Sequence, residues 1–252
     1  MTVKSVAALV VAMGLVGAGL WFSSTLPTPQ IWLYGAGLIG LVGLAVETFL
    51  ERPRSFALRS YQQLFVLWIA PGLLTAAGLW LVRIIPPDSL RMVAAAAAAV
   101  LGLLLLGLRA GMNPVGAYHR LGRFVGSLIL YLVAFLLFAL IYHTKERSLI
   151  TATSIGLVAF LAALEILRSA EGGRNSDWRL PLVAGLAVAE TTWVLNYWPV
   201  SGLIGGAVLL LTFYVLVGLL VALREGGLDR RVLAEYGTVA VAGLLAVSWA
   251  MF

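Results

Sequence analysis

Few side chains in this chain can do chemistry, and the one in the costliest setting is Glu190. It opens the run ETTWVLNYWP (190–199), the most polar stretch inside any long apolar segment. That segment starts near Leu180, which puts Glu190 roughly 15 Å along a helix rising about 1.5 Å per residue. An ionised carboxylate at the centre of a bilayer costs at least about 2.5–3.5 kcal/mol. Glu190 is therefore expected to turn into a helix bundle and to be protonated at neutral pH, bonded to Thr or Tyr hydroxyls. Trp193 and Tyr197 follow on the same helical face, and Asn196 adds an amide nearby. Glu190, Trp193, Asn196 and Tyr197 are the candidate binding residues. The plainer reading of the same residues is structural: a neutral carboxyl joining helices, with Trp198 in an interfacial aromatic belt.

Glu47 and Glu165 are secondary candidates, and Glu235 resembles them in position. Each falls near one end of an apolar run with an arginine close by: Arg52, Arg168 and Arg231 respectively. Such residues make an interfacial ion pair or a hydrated helix end. Functionally they would line an entrance with carboxylates.

Other chemistries are missing their residues. Aspartate occurs only at Asp88, Asp177 and Asp229, all between apolar runs, so no aspartate-rich motif can hold magnesium and a diphosphate. The two histidines, His119 and His143, fall at opposite ends of one run and cannot share a metal or a haem. No lysine lies deep in a run, no serine motif sits beside a usable histidine, and no dinucleotide or P-loop fingerprint follows a βαβ pattern. The chain has no cysteine, which removes disulfides, thiolate metal sites and a thiol nucleophile. No catalytic residue, metal site or cofactor is expected.

The elements that carry these residues are apolar throughout. Apolar residues make up 62% of the chain and charged residues 11%, against about 25% in a typical soluble domain. A soluble fold could not cover that surface, whereas lipid tails solvate it directly. Nine apolar runs are legible, near 5–22, 31–50, 64–85, 92–108, 124–142, 149–167, 180–197, 202–223 and 232–252. They approach the roughly 20 residues of a spanning helix and are twice the length of a barrel strand. The fold class expected is all-α: a polytopic transmembrane helix bundle of about nine spans, forming one integral membrane domain over 1–252 with no soluble domain. The first run ends at Trp21-Phe22-Ser23-Ser24, which offers no clean cleavage site, so it is read as a retained helix rather than a signal peptide.

Basic residues orient the spans. Of 17, 13 fall in the segments on the side of the N-terminus and four (Arg83, Arg91, Lys145 and Arg147) on the other. The positive-inside rule then places the N-terminus in the cytoplasm and the C-terminus outside. Arginine, alanine, leucine and glycine dominate, as in GC-rich bacterial genomes, so the expected location is a bacterial inner membrane. The net charge of +6 is scattered singly or in threes rather than gathered in one patch, which fits an anionic lipid surface and not nucleic acid. The basic loop 109–123 is expected to lie on the inner leaflet.

Some local patterns recur. GLVGAGLW (14–21) resembles GLLTAAGLW (72–80), and a proline follows six residues after Trp21, Trp80 and Trp193. Tandem helical hairpins would produce this, and so would the ordinary interfacial preferences of Trp and Pro. Gly14, Gly40, Gly72 and Gly206 are expected to let helix backbones approach closely. The function expected is that of a non-enzymatic structural or accessory membrane protein that binds lipid or partner subunits. The alternative is a small permease with Glu190 as its protonatable group. An enzyme acting on a lipid or isoprenoid ranks third, for want of a second catalytic group.

Overall fold

The computed structural model describes residues 3–49, 61–85, 88–111, 117–144, 148–170 and 177–251. Among them the chain forms nine α-helices and no strand: α1 Val3–Ser23, α2 Thr28–Phe49, α3 Tyr61–Ile84, α4 Asp88–Gly111, α5 Ala117–Thr144, α6 Ser148–Ala170, α7 Arg179–Leu195, α8 Gly202–Glu225 and α9 Arg230–Met251. Each coincides with one apolar run. Among the described residues, four stretches are long and apolar enough to cross a membrane: Phe124–Thr144, Ser148–Ser169, Gly202–Arg224 and Arg230–Trp249. The chain divides into two compact units, Met1–Leu130 and Tyr131–Phe252, and the boundary falls within α5.

In the first unit, α1 packs against α2, α3 and α4, and α3 against α2 and α4. Small residues bring the helices together. A Cβ on Gly17 would lie 3.2 Å from Ala99 Cβ, and one on Gly35 would lie 2.9 Å from a Leu79 methyl. The Tyr34 hydroxyl donates to the Gly19 carbonyl at 3.1 Å, tying α2 to α1. Helix α3 continues through the buried Pro71, whose missing N–H leaves a carbonyl one turn earlier without its helical donor. The Thr75 hydroxyl donates to the Pro71 carbonyl at 2.8 Å. Beside this turn lies a cavity of about 10 Å³, lined by Met13, Leu20, Val42, Pro71 and Thr75 among others. A void of that size holds about one water and no substrate.

In the second unit, α8 is the common neighbour. Gly206 lies against the Ala139 backbone of α5, where a Cβ would come within 2.7 Å of Ala139 Cα, and Gly205 lies against the Tyr142 ring. An aromatic chain runs through the unit: Phe138 to Phe213 at 5.8 Å, Phe213 to Tyr131 at 5.8 Å, Tyr131 to Tyr214 at 5.6 Å and Tyr214 to Tyr236 at 5.8 Å between ring centroids. Gly218 of α8 accommodates Tyr236, and Gly243 of α9 accommodates Leu211. The paired positions run in opposite senses, so α8 is antiparallel to both α5 and α9.

The glycine expectations need correction. Gly206 makes the close approach expected of it. Among the described residues Gly72 has only an ordinary contact, with an Ile39 methyl, and Gly14 and Gly40 have nothing within 4 Å. Glycine allows backbones to meet only where it faces a neighbour, and an all-apolar run does not reveal which face that is.

Candidate functional site

Helix α7 carries the candidate residues, and its start is fixed by one aspartate. Asp177 Oδ1 accepts from the Arg179 backbone N–H at 3.0 Å, satisfying a donor that the first helical turn leaves open. Asp177 Oδ2 lies 3.4 Å from the Arg224 guanidinium, which joins the start of α7 to the end of α8. Pro181 falls in the first turn, where its missing N–H costs nothing. At the other end the buried Tyr142 hydroxyl donates to the Leu195 carbonyl at 2.7 Å, occupying one of the acceptors at the helix terminus.

The inner face of α7 comprises Pro181, Ala184, Gly185, Val188, Thr192 and Leu195. It meets α6 at backbone distance. A Cβ on Gly185 would stand 2.8 Å from the Gly156 carbonyl oxygen and 2.9 Å from Phe160 Cβ, while one on Gly156 would meet Ala189 Cβ at 2.9 Å. Position 156 lies opposite 185 and 189, and position 160 opposite 185, so α6 and α7 run antiparallel. The Thr191 and Thr192 hydroxyls donate to the carbonyls of Ala187 and Val188, each at 2.8 Å.

Glu190 stands on the other side of the helix. Its side chain is exposed, contrary to the inward orientation expected from its cost in a membrane. The physical reason is the α6 contact: the small residues of α7 define its packed face, and Glu190 projects opposite them. Both neighbouring threonine hydroxyls are committed to their own helix. Among the described residues Glu190 makes no hydrogen bond or ion pair. Trp193 and Tyr197 share its outward face, 52% and 88% exposed, as their spacing requires. Asn196 does not join them: it points round the helix, and its Nδ2 is buried without a hydrogen-bond partner.

The secondary candidates separate from this face. Glu165 is buried on α6 at 4% exposure, so it is not at a hydrated helix end. The side chains of Glu47 and His119 lie outside the described residues, as do residues 112–116; the rest of the segment 109–123, expected to be a loop, is helical and belongs to α4 and α5. Glu235 and His143 are exposed. Among the described residues, no three His, Cys, Asp or Glu side chains gather as a metal could require.

The outward stripe reads Val183, Leu186, Glu190, Trp193, Val194 and Tyr197, all exposed. It is an apolar surface with one carboxyl at its centre. Such a stripe can bind a flat apolar partner and one hydrogen-bonding group, but it encloses no substrate.

These features define an all-helical protein with helices fit to cross a membrane and one carboxyl on an outward helix face. Residues 8–250 match the model of the family described as "Protein of unknown function (DUF5656)", and the chain belongs to that family. No curated protein matches the chain, and no solved structure matches it.

Proposed function

We propose that the protein is a non-enzymatic accessory subunit of a bacterial inner membrane, spanning it nine times and docking a protein partner on the outer face of α7. The observation that carries this reading is the Glu190 carboxyl, which has no hydrogen bond or ion pair among the described residues, on an exposed apolar stripe. Facing lipid, that group bears a desolvation cost with nothing to offset it. A protein neighbour supplies the missing hydrogen bond.

The crossing of α7 follows from its neighbours. It runs antiparallel to α6 and α8, and both of those contain stretches long enough to span. If they cross, the chain returns through the membrane along α7, a 17-residue helix roughly 26 Å long. The exposed Trp178 and Trp198 fall near its two ends, where aromatic residues sit at bilayer interfaces. Glu190 then lies between them at hydrocarbon depth. A permease would need Glu190 on an internal hydrated path and an enzyme would need a second reactive group beside it. Its outward position favours neither.

A photoreactive amino acid at Val194, one turn from Glu190 on the same face, tests the reading in native membranes. The expected product is a protein adduct, and adducts with lipid alone would overturn it.

The orientation proposed has the N-terminus in the cytoplasm and the C-terminus outside, with tandem hairpins as the repeating unit. Helices α1 and α7 both end two residues past a tryptophan, Trp21 and Trp193, whereas α3 ends four residues past Trp80, so the recurring Trp–Pro spacing of the sequence is what motivates the repeat. Because the chain has no native cysteine, single substitutions report topology directly. Ser89→Cys and Ser201→Cys should react with an impermeant maleimide added outside intact cells. Ser55→Cys and Ser176→Cys should react only after the membrane is opened. A pattern that reverses partway along the chain would refute nine spans.

A further inference from the structure

We propose that the second unit binds a lipid-soluble quinone on three tyrosines, Tyr131 of α5, Tyr214 of α8 and Tyr236 of α9. This site is separate from the outer face of α7 and does not depend on docking there. The chain of rings in this unit changes character along its length. Phe138 and Phe213 are fully buried and carry no polar atom, whereas Tyr131 and Tyr236 are half-buried and Tyr214 is 38% exposed. Hydroxyls begin where the rings leave the core.

The three phenols form one patch. Tyr214 stands 5.6 Å from Tyr131 and 5.8 Å from Tyr236 between ring centroids. The Tyr131 hydroxyl lies within electrostatic reach of those of Tyr214 and Tyr236. Gly218, one turn beyond Tyr214 on α8, receives the hydroxyl end of the Tyr236 ring, so that hydroxyl rests on α8 beside the turn that carries Tyr214. All three residues fall within stretches long and apolar enough to cross a membrane. They are seven residues from Phe124, ten from Arg224 and six from Arg230, three positions at the same end of the antiparallel helices. In a bilayer that sets the patch roughly 9–15 Å deep, at 1.5 Å per residue.

Depth and donor type select the ligand. A phenolic O–H in hydrocarbon gains most from an acceptor that itself partitions there, because polar groups at that depth are costly unless hydrogen-bonded. Phospholipid headgroups and their ester carbonyls stay near the interface. A quinone brings carbonyl acceptors inward on a flat ring with an apolar tail. Its carbonyls accept from the Tyr131 and Tyr214 hydroxyls, its ring lies offset against the exposed Tyr214 ring, and its tail remains in lipid.

The test uses the full chain in nanodiscs of phosphatidylethanolamine and phosphatidylglycerol, with decylubiquinone as probe and decylbenzene as a tail-matched control without carbonyls. Retained probe is measured by mass spectrometry against empty discs. Decylubiquinone should bind saturably and decylbenzene should not. The discs hold ester phospholipid in excess, so saturable binding also shows that ester carbonyls do not fill the site. Tyr131→Phe and Tyr214→Phe keep the rings and their packing, and each should weaken binding about three- to tenfold, a typical range for losing one hydrogen bond within a membrane. Tyr34→Phe should bind like the unaltered chain, because that hydroxyl is already given to the Gly19 carbonyl. The proposal falls if decylubiquinone is retained no better than in empty discs, if decylbenzene binds equally well, or if the double variant Tyr131→Phe/Tyr214→Phe keeps the original affinity.

Discussion

Replacing Gly185 with leucine is expected to abolish the native packing of the second unit, while leucine at Gly40 leaves the protein folded. The two glycines look equivalent in sequence, since each sits in an apolar run among Leu, Val and Ala. Their surroundings differ. A Cβ at Gly185 meets the Gly156 carbonyl oxygen at 2.8 Å, Phe160 Cβ at 2.9 Å and Phe160 Cα at 3.3 Å, and backbone cannot swing aside as a side-chain tip can. Among the described residues a Cβ at Gly40 meets nothing within 4 Å. Gly185→Ala alone should therefore cost about 1–3 kcal/mol by overpacking. Leucine adds three more carbons to the same contact and must force α6 and α7 apart. That separation also strains the Asp177–Arg224 and Tyr142–Leu195 links, which fix the two ends of α7. Gly40→Leu should be neutral or slightly stabilising, because a good helix former replaces a glycine. Unfolding in a mixed-micelle SDS titration, followed by circular dichroism, checks both variants. Similar transitions for Gly185→Leu and Gly40→Leu would show that the α6–α7 contact is not as close as described.

This contrast marks how far the sequence could be read. The helices were legible because hydropathy and length alone specify them, and every apolar run became a helix. Which way each helix faces was not legible. Helices solvated by lipid need no polar face, so the usual signal of an amphipathic stripe is absent and the contact side is set by neighbours distant in sequence. Gly14 and Gly40 were for that reason indistinguishable from Gly185 and Gly156. The orientation of Glu190 was missed for a related reason. Desolvation cost alone sends a carboxyl inward, but the inner face of α7 is occupied by its contact with Gly156 and Phe160. Trp193 and Tyr197 share the exposed face of Glu190 because helical geometry alone sets that spacing. The aromatic chain of α5, α8 and α9 joins residues far apart in sequence. Tyr131 and Phe138, seven residues apart on α5, were its one available signal, and their partner Phe213 lies 75 residues beyond Phe138.

Phe213→Ala is expected to be the most damaging change to a side chain in that aromatic chain. Phe213 is fully buried and stands between Phe138 and Tyr131, so its ring belongs to two aromatic contacts at once. In water-soluble proteins, truncating a buried phenylalanine to alanine costs about 3–5 kcal/mol, combining lost transfer energy with the cavity left behind. If α5 and α8 lie in lipid, the transfer share shrinks, because the unpacked side chain would rest in hydrocarbon rather than water. The cavity share persists, since α5 and α8 are held apart by their own backbones at Gly206 and Ala139 and cannot close over the gap. A loss of about 2 kcal/mol or more should remain. Phe213→Leu separates the two contributions. It refills most of the cavity and forfeits only the edge-to-face contacts, worth about 0.5–1.5 kcal/mol per pair. Tyr214→Ala offers a control: this residue is partly exposed, and its truncation leaves a groove that lipid can fill. The expected order of stability in the SDS titration is unaltered protein, then Phe213→Leu or Tyr214→Ala, then Phe213→Ala. Equal stability of Phe213→Ala and Tyr214→Ala would mean that Phe213 is not enclosed, and that α5 and α8 are joined by the Gly206 contact rather than by the rings.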